Sequence, residues 1–224
     1  MSGTYGIMFK DEMIRAYIKG RKTQTRRTRG LDEVNQNPDD WELFSVFEIT
    51  SAYAIFQNKN NKKQKVTIRA PYGSTNDTLW FKECYRAWED PKSGEDFLLY
   101  RADNGKFQPF ASDDKSWNLI CGKFDKWNSS MFMPQWASRF WNVPIVSVRV
   151  ERLHDITEAD AKAEGCIPFP EVNPSPYKTA YWFLWNSING RKLHWNKNPW
   201  IWVYEFPVYD KDQVSQIHPH VEEK

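Results

Sequence analysis

Between Gly20 and Arg27 the chain reads GRKTQTRR, which places one lysine, two threonines and three arginines within eight residues. A threonine hydroxyl can act as a nucleophile once a base takes its proton, and a neutral lysine is such a base. Lys22 lies among Arg21, Arg26 and Arg27, whose like charge favours its neutral form. The guanidinium forks can hold a phosphate or a carboxylate. If the segment is extended, alternation sends Lys22, Gln24 and Arg26 to one face and Thr23, Thr25 and Arg27 to the other.

The surrounding charge is uneven. Residues 1–30 carry eight Lys/Arg against Asp11 and Glu12, a balance of +6, although the whole chain is only +2. A second run, 59–69, holds Lys59, Lys62, Lys63, Lys65 and Arg69 without an acid. Together the two would make a face suited to a phosphate backbone; apart, 59–69 reads as a polar turn between strands. From Glu205 to Lys224 five acids outnumber two lysines, as in a solvated end. His154 and His194 have no His or Cys at metal-ligand spacing, and His218 and His220 form only a tail pair, so neither a metal nor any other cofactor is expected. Cys84, Cys121 and Cys166 are odd in number and form no CxxC, which excludes a disulfide framework or a zinc ribbon. With 224 residues and no apolar run of membrane-spanning length, the expectation is a cytoplasmic protein with its own core. Twelve Trp among 16% aromatic residues serve core packing or base stacking equally well.

Several elements must position these groups. A strand is expected at Tyr5 to Phe9, then a helix at Asp11 to Lys19 with Met13, Ile14, Tyr17 and Ile18 on one face and Gly20 as its stop. Strand-like composition returns at 42–56, 66–70, 78–85 and 97–100, with Cys84 expected buried. Residues 103–142 keep no period and read as an insertion packed by its aromatics. Val143 to Leu153 alternates, with Val146, Val148 and Val150 on one face. Asp155 or Thr157 can cap a helix ending at Glu164 and Gly165. A second helix at 177–189 carries Tyr181, Leu184, Trp185 and Ile188 at helical spacing, and Trp200 to Val208 reads as a last strand. This order predicts an α+β fold on a curved, mainly antiparallel sheet, with no Gly-rich turn for a dinucleotide.

Four of these segments, GRKTQTRR, LWFKECY, VSVRVERLHDITEADAKAEG and NPWIWVYEF, resemble in order the motifs of an ASCH domain of the PUA-like superfamily. MPQWASR and LWNSING are similar to segments of the longer phage and prophage members, often labelled morphogenetic. The resemblance implies one domain over 1–208, a PUA-like, partly open β-barrel with short helices and an insertion near 103–142, followed by a polar tail at 209–224. It also implies recognition of RNA, DNA or a modified nucleoside, and host cytoplasm if the chain is phage-encoded. In the family's small amidohydrolases the matching positions are Lys22, Thr25 and Glu164: Thr25 would attack the amide carbonyl of an acylated cytosine, Lys22 would activate it, and Glu164 would exchange protons with the leaving amine. Arg27 would hold an oxyanion or phosphate, with Arg21 and Arg26 beside it. Trp80, Lys82 and Glu83 would line the cleft, although Trp80 also fits a core position and Glu83 an arginine partner. The alternatives are a metal-independent ribonuclease, a non-catalytic RNA-binding module and a phage assembly factor.

Overall fold

A computed structural model describes residues 2–48, 52–107, 126–172 and 174–208. The polar tail at 209–224, with His218 and His220, and the middle of the expected insertion, with Cys121, lie outside the described residues.

The architecture is mixed α+β, built from small sheets with few helices and no closed barrel among the described residues. Strand β1 (Thr4–Met8) leads into helix α1 (Asp11–Ile18), and β2 (Gln24–Arg27) follows. A meander of β3 (Trp41–Glu48), β4 (Ala52–Asn58) and β5 (Lys65–Arg69) occupies the strand-like stretch at 42–70. The expected strand at 78–85 divides into β6 (Thr78–Lys82) and β7 (Tyr85–Glu89). Cys84 lies at that break and is half-buried, less than expected. Next come β8 (Asp96–Tyr100), β9 (Lys106–Phe107), β10 (Val143–Pro144) and β11 (Ser147–Arg152). Helices α2 (Glu158–Ala163) and α3 (Pro176–Asn189) precede the last strand, β12 (Trp200–Glu205). Val146 falls in the gap between β10 and β11 and is exposed, so only Val148 and Val150 form the buried valine face.

The sheets are β1-β6-β10, with β1 and β6 parallel, and the antiparallel β11-β12-β2, β3-β4-β5 and β7-β8-β9. Strand β12 is the organising element because both of its faces are buried. Trp200, Trp202 and Tyr204 enter the main core with α1 and the first and third sheets, whereas Ile201 and Val203 pack under α3 with Leu153, Tyr181 and Trp185. A strand covered on both sides needs a continuous apolar run, and WIWVYE supplies one. Gly6 lies beneath the Trp80 indole on the neighbouring strand, where a β-carbon would come within 2.6 Å of the ring.

Helix α2 is short but well begun. The Thr157 hydroxyl accepts from the Asp160 amide, and the Asp160 carboxylate accepts from the Thr157 amide, a reciprocal cap. Burial would raise the Asp160 pKa, but its bonds to Thr157 and the charge of Arg26 bring it down to about 2. The helix ends at Glu164, and Gly165 turns the chain with φ +89°. At Gly165 a β-carbon would stand 2.7 Å from that of Ala16 and 3.1 Å from that of Lys22. Gly94 also has positive φ, but nothing lies within 4 Å of its β-carbon position. Gly94→Ala should therefore cost about 1–2 kcal/mol of backbone strain. Gly165→Ala should cost about 1–3 kcal/mol more, because α1 and Lys22 must move apart. Urea unfolding of the two variants reads the difference, and equal losses would remove the steric role of Gly165.

Candidate functional site

Strand β2 is held on one side only. It pairs with β12 through Gln24↔Glu205, Thr25↔Tyr204, Arg26↔Val203 and Arg27↔Trp202, and its other edge is open. The Thr23 carbonyl accepts from the Phe206 amide, so by the alternation of an antiparallel ladder the Gln24 and Arg26 peptide groups face the open edge. Lys22 closes that edge. Its side chain is wholly buried, and Nζ donates to the Gln24 carbonyl (2.6 Å), the Glu164 carbonyl (3.1 Å) and Glu164 Oε2 (2.8 Å). These three acceptors use every proton of the ammonium.

Glu164 is buried as deeply and is shared. Its second oxygen, Oε1, accepts from Arg26 Nη1 at 3.1 Å. The Arg26 guanidinium has no exposed surface and also binds Glu151 (2.9 and 3.1 Å) and the Gln24 side chain, with Asp160 at 3.5 Å. Arg149 extends the network to Glu151, Asp160 and Glu205. Burial lowers the Lys22 pKa below its usual 10.5, and the Glu164 charge opposes that fall. Burial also disfavours the Arg26 cation, but its carboxylate and tyrosine neighbours outweigh this and raise its pKa.

Beside this network lies a cavity of 130 Å³. Thr25, Arg26, Arg27 and Glu164 supply its polar wall, while Tyr181 and Trp185 of α3 supply an aromatic one. Thr25 and Glu164 therefore face one space, and Lys22 stands behind Glu164 without lining it. Arg27 donates to the Met8 carbonyl at 2.7 Å and lies 5.1 Å from the Phe9 ring. Arg21 binds the Gly165 carbonyl at 2.9 Å and lines an adjoining groove of 380 Å³, which also reaches Glu164.

The structure thus joins Lys22, Thr25, Glu164, Arg26 and Arg27, sets Arg21 on the adjoining groove, and takes Trp80, Lys82 and Glu83 elsewhere. Arg26, expected beside a ligand phosphate, is enclosed by carboxylates. Glu83 is fully buried in a two-pronged ion pair with Arg139 (2.8 and 2.9 Å), which also binds Asp103. Lys82 donates to the Met131 carbonyl and Trp80 packs against the second core beside β7 and β8. Sequence reasoning did not single out Glu151, Asp160 or Tyr181 for the site. The alternating Arg149 and Glu151 gave the only hint, since they face away from the buried valines.

Among the described residues no group of three His, Cys, Asp or Glu could hold a metal ion, and no helix is long and apolar enough to cross a membrane. Compared with protein-family models, curated proteins and solved structures, the chain matches none.

The depressed Lys22 pKa sets a pH dependence. Between the folded value and 10.5 the unfolded state holds more protons at this site, so stability rises with pH there. Lys22→Met deletes that rise while leaving Glu164 paired with Arg26. The stability of the native chain relative to Lys22→Met should therefore climb as pH rises toward 10.5 in urea titrations. A flat difference would show that Glu164 fully offsets the burial of Lys22.

Proposed function

We propose that the chain recognises a nucleoside base in the Thr25–Glu164 cavity and hydrolyses an amide on it, with an N-acylated cytosine as the substrate class. The reading treats the sheets around the main core as a partly open, PUA-like barrel. The observation that carries it is the placement of the Glu164 carboxylate, held by two buried cations, on the wall of a cavity that Thr25 also lines. The cavity is well below the roughly 300–1,000 Å³ of sites that engulf drug-sized ligands, so it suits a single base or acyl group. Tyr181 and Trp185 offer that base an apolar wall.

Three groups carry the chemistry. The Thr25 oxygen bonds to the acyl carbon while the hydroxyl proton passes to the Lys22–Glu164 pair. Burial lowers the Lys22 pKa, which eases the return of a proton from its ammonium through the bonded Glu164 carboxylate. The carbon–nitrogen bond then breaks as the pair returns the proton to the leaving amine. Water hydrolyses the threonyl ester, releasing a carboxylic acid and restoring the hydroxyl, so one water is consumed for each amide cleaved. The Arg26 amide, facing the open edge of β2, and the Arg27 guanidinium are the donors for the oxyanion. Lys22 does not line the cavity and so works through Glu164, as a positioning and proton-storing residue.

The test is chromatography of products from N4-acetylcytidine and from a short labelled RNA, with and without chelator. Release of cytidine, unaffected by chelator and reduced at least about 100-fold by Thr25→Ala and Glu164→Gln, is the expected result. Cleavage of RNA dependent on its 2′-hydroxyl would replace the amidohydrolase reading with a ribonuclease, and no product from folded protein would leave a binding module.

A further inference from the structure

The outer face of β3-β4-β5 carries chemistry that the cavity does not use. On its inner face Ala52, Ala54, Phe56 and Ile68 enter the main core. The outer face should then be polar, yet it is aromatic and cationic. The pairing Phe47↔Tyr53↔Arg69 forms one row across it, and Ser45↔Ile55↔Thr67 the next. A bulge between Leu43 and Ser45 ejects Phe44, and the Lys65 ammonium lies 3.4 Å from its ring centroid. Phe44 is 55% exposed and Phe47 48% exposed, unusually wet for phenylalanines on a sheet.

The charge nearest these rings is mainly positive. Lys65 and Arg69 rise from the outer face, and Lys59, Lys62 and Lys63 from the adjoining turn. The acid Glu42 on this face is paired with Lys62, and Asp39 and Asp40 lie against the same turn, where Asp39 is paired with Arg152. Gly30 approaches β5 from its inner side, where the Ile68 side chain and the Arg69 carbonyl oxygen lie 3.8 Å from its β-carbon position. Arg29, next in the chain, lines the cavity. Rings spaced along a pleated surface and edged by cations match unpaired bases, which stack, and their phosphates, which pair. A protein partner of acidic character would be served by the cations but leaves the row of rings unexplained.

We infer that this face binds a single-stranded polynucleotide by base stacking on Phe44, Phe47 and Tyr53 and phosphate contact with Lys65 and Arg69, without regard to the sugar. The site is separate from the Thr25–Glu164 cavity, and its test does not depend on amide hydrolysis.

Fluorescence anisotropy with labelled dT12 and rU12 reads it. Both should bind with similar dissociation constants, about 1–100 µM at physiological salt, and duplex of equal length should bind more weakly. Phe44→Ala/Phe47→Ala should weaken binding at least tenfold while keeping the salt dependence, because stacking is lost and the phosphate contacts remain. Lys65→Gln/Arg69→Gln should weaken it and reduce the slope of log affinity against log salt by about 1–2. All four side chains are at the surface, so circular dichroism should stay native, and hydrolysis of N4-acetylcytidine should be unchanged. Absence of binding by native protein would overturn the inference, as would binding indifferent to both double variants. Concentration-dependent dimerisation abolished by Phe44→Ala/Phe47→Ala would assign the face to a second copy of the chain instead.

Discussion

A carboxylate buried between two cations governs this architecture. Moving Glu164, Lys22 and Arg26 out of water carries a penalty of several kcal/mol for each ion, which their attraction recovers only when the geometry fills every donor and acceptor. Here it does: each oxygen of Glu164 has its own cation, Lys22 spends all three protons, and Arg26 reaches a second and a third carboxylate. Apolar residues of the same volume often stabilise such a site equally well or better, so stability alone is a weak reason for the arrangement. Removing one partner is different, since it strands a charge at a cost of about 3–5 kcal/mol. The network therefore tolerates little drift, and an invariant position for Glu164 is what a cavity-side acid or base requires.

The rest of the fold follows from holding those three residues together. Lys22 stands just before β2 and Arg26 within it, and β2 pairs with a single neighbouring strand, β12. Glu164 comes from the end of α2, whose start is fixed by the Thr157–Asp160 cap and whose end is turned by Gly165 against Ala16 and Lys22. Asp160 serves twice, as cap acceptor and as a partner of Arg26 and Arg149, so the start of the helix and the ion network are one structure. Helix α3 closes the remaining side: Tyr181 lies 5.7 Å from the Arg26 guanidinium, and Trp185 covers the cavity.

Much of this was legible in the sequence because it rests on local rules. The helix before Gly20, the Thr157 cap, the positive-φ stop at Gly165 and the apolar run of β12 are each written within a few residues. The division of β2 into two faces did not carry through: Gln24 and Arg26 join one network, but Arg26 lines the cavity with Thr25 and Arg27, and Lys22 and Arg27 both lie against the Phe9 ring. What escaped was long-range. Arginines near the surface in sequence have no local mark that tells a ligand-binding guanidinium from a buried one, and Arg26 was resolved by Glu151, Asp160 and Glu164, more than 120 positions away. Glu83 escaped in the same way, through Arg139. The breaks inside 78–85 and 143–153 were hidden because strand composition continues across them, while pairing passes from one sheet to another.

Size separates the two surfaces that we propose meet a nucleic acid. The cavity encloses 130 Å³, room for one base and none for the chain that carries it. The outer face of β3-β4-β5 is open and presents its rings over several residues of strand, a few bases long at about 3.3 Å per residue, with no enclosure to read any of them. An enclosed polar site discriminates because a wrong group leaves buried donors unpaired, whereas an open stacking surface accepts every base alike. Gly30, packed against β5, and Arg29, on the cavity wall, place the two on adjoining parts of the chain. Affinity gathered on the face would raise the local concentration of a base at the cavity without asking the cavity, already filled with paired charge, to supply that affinity itself.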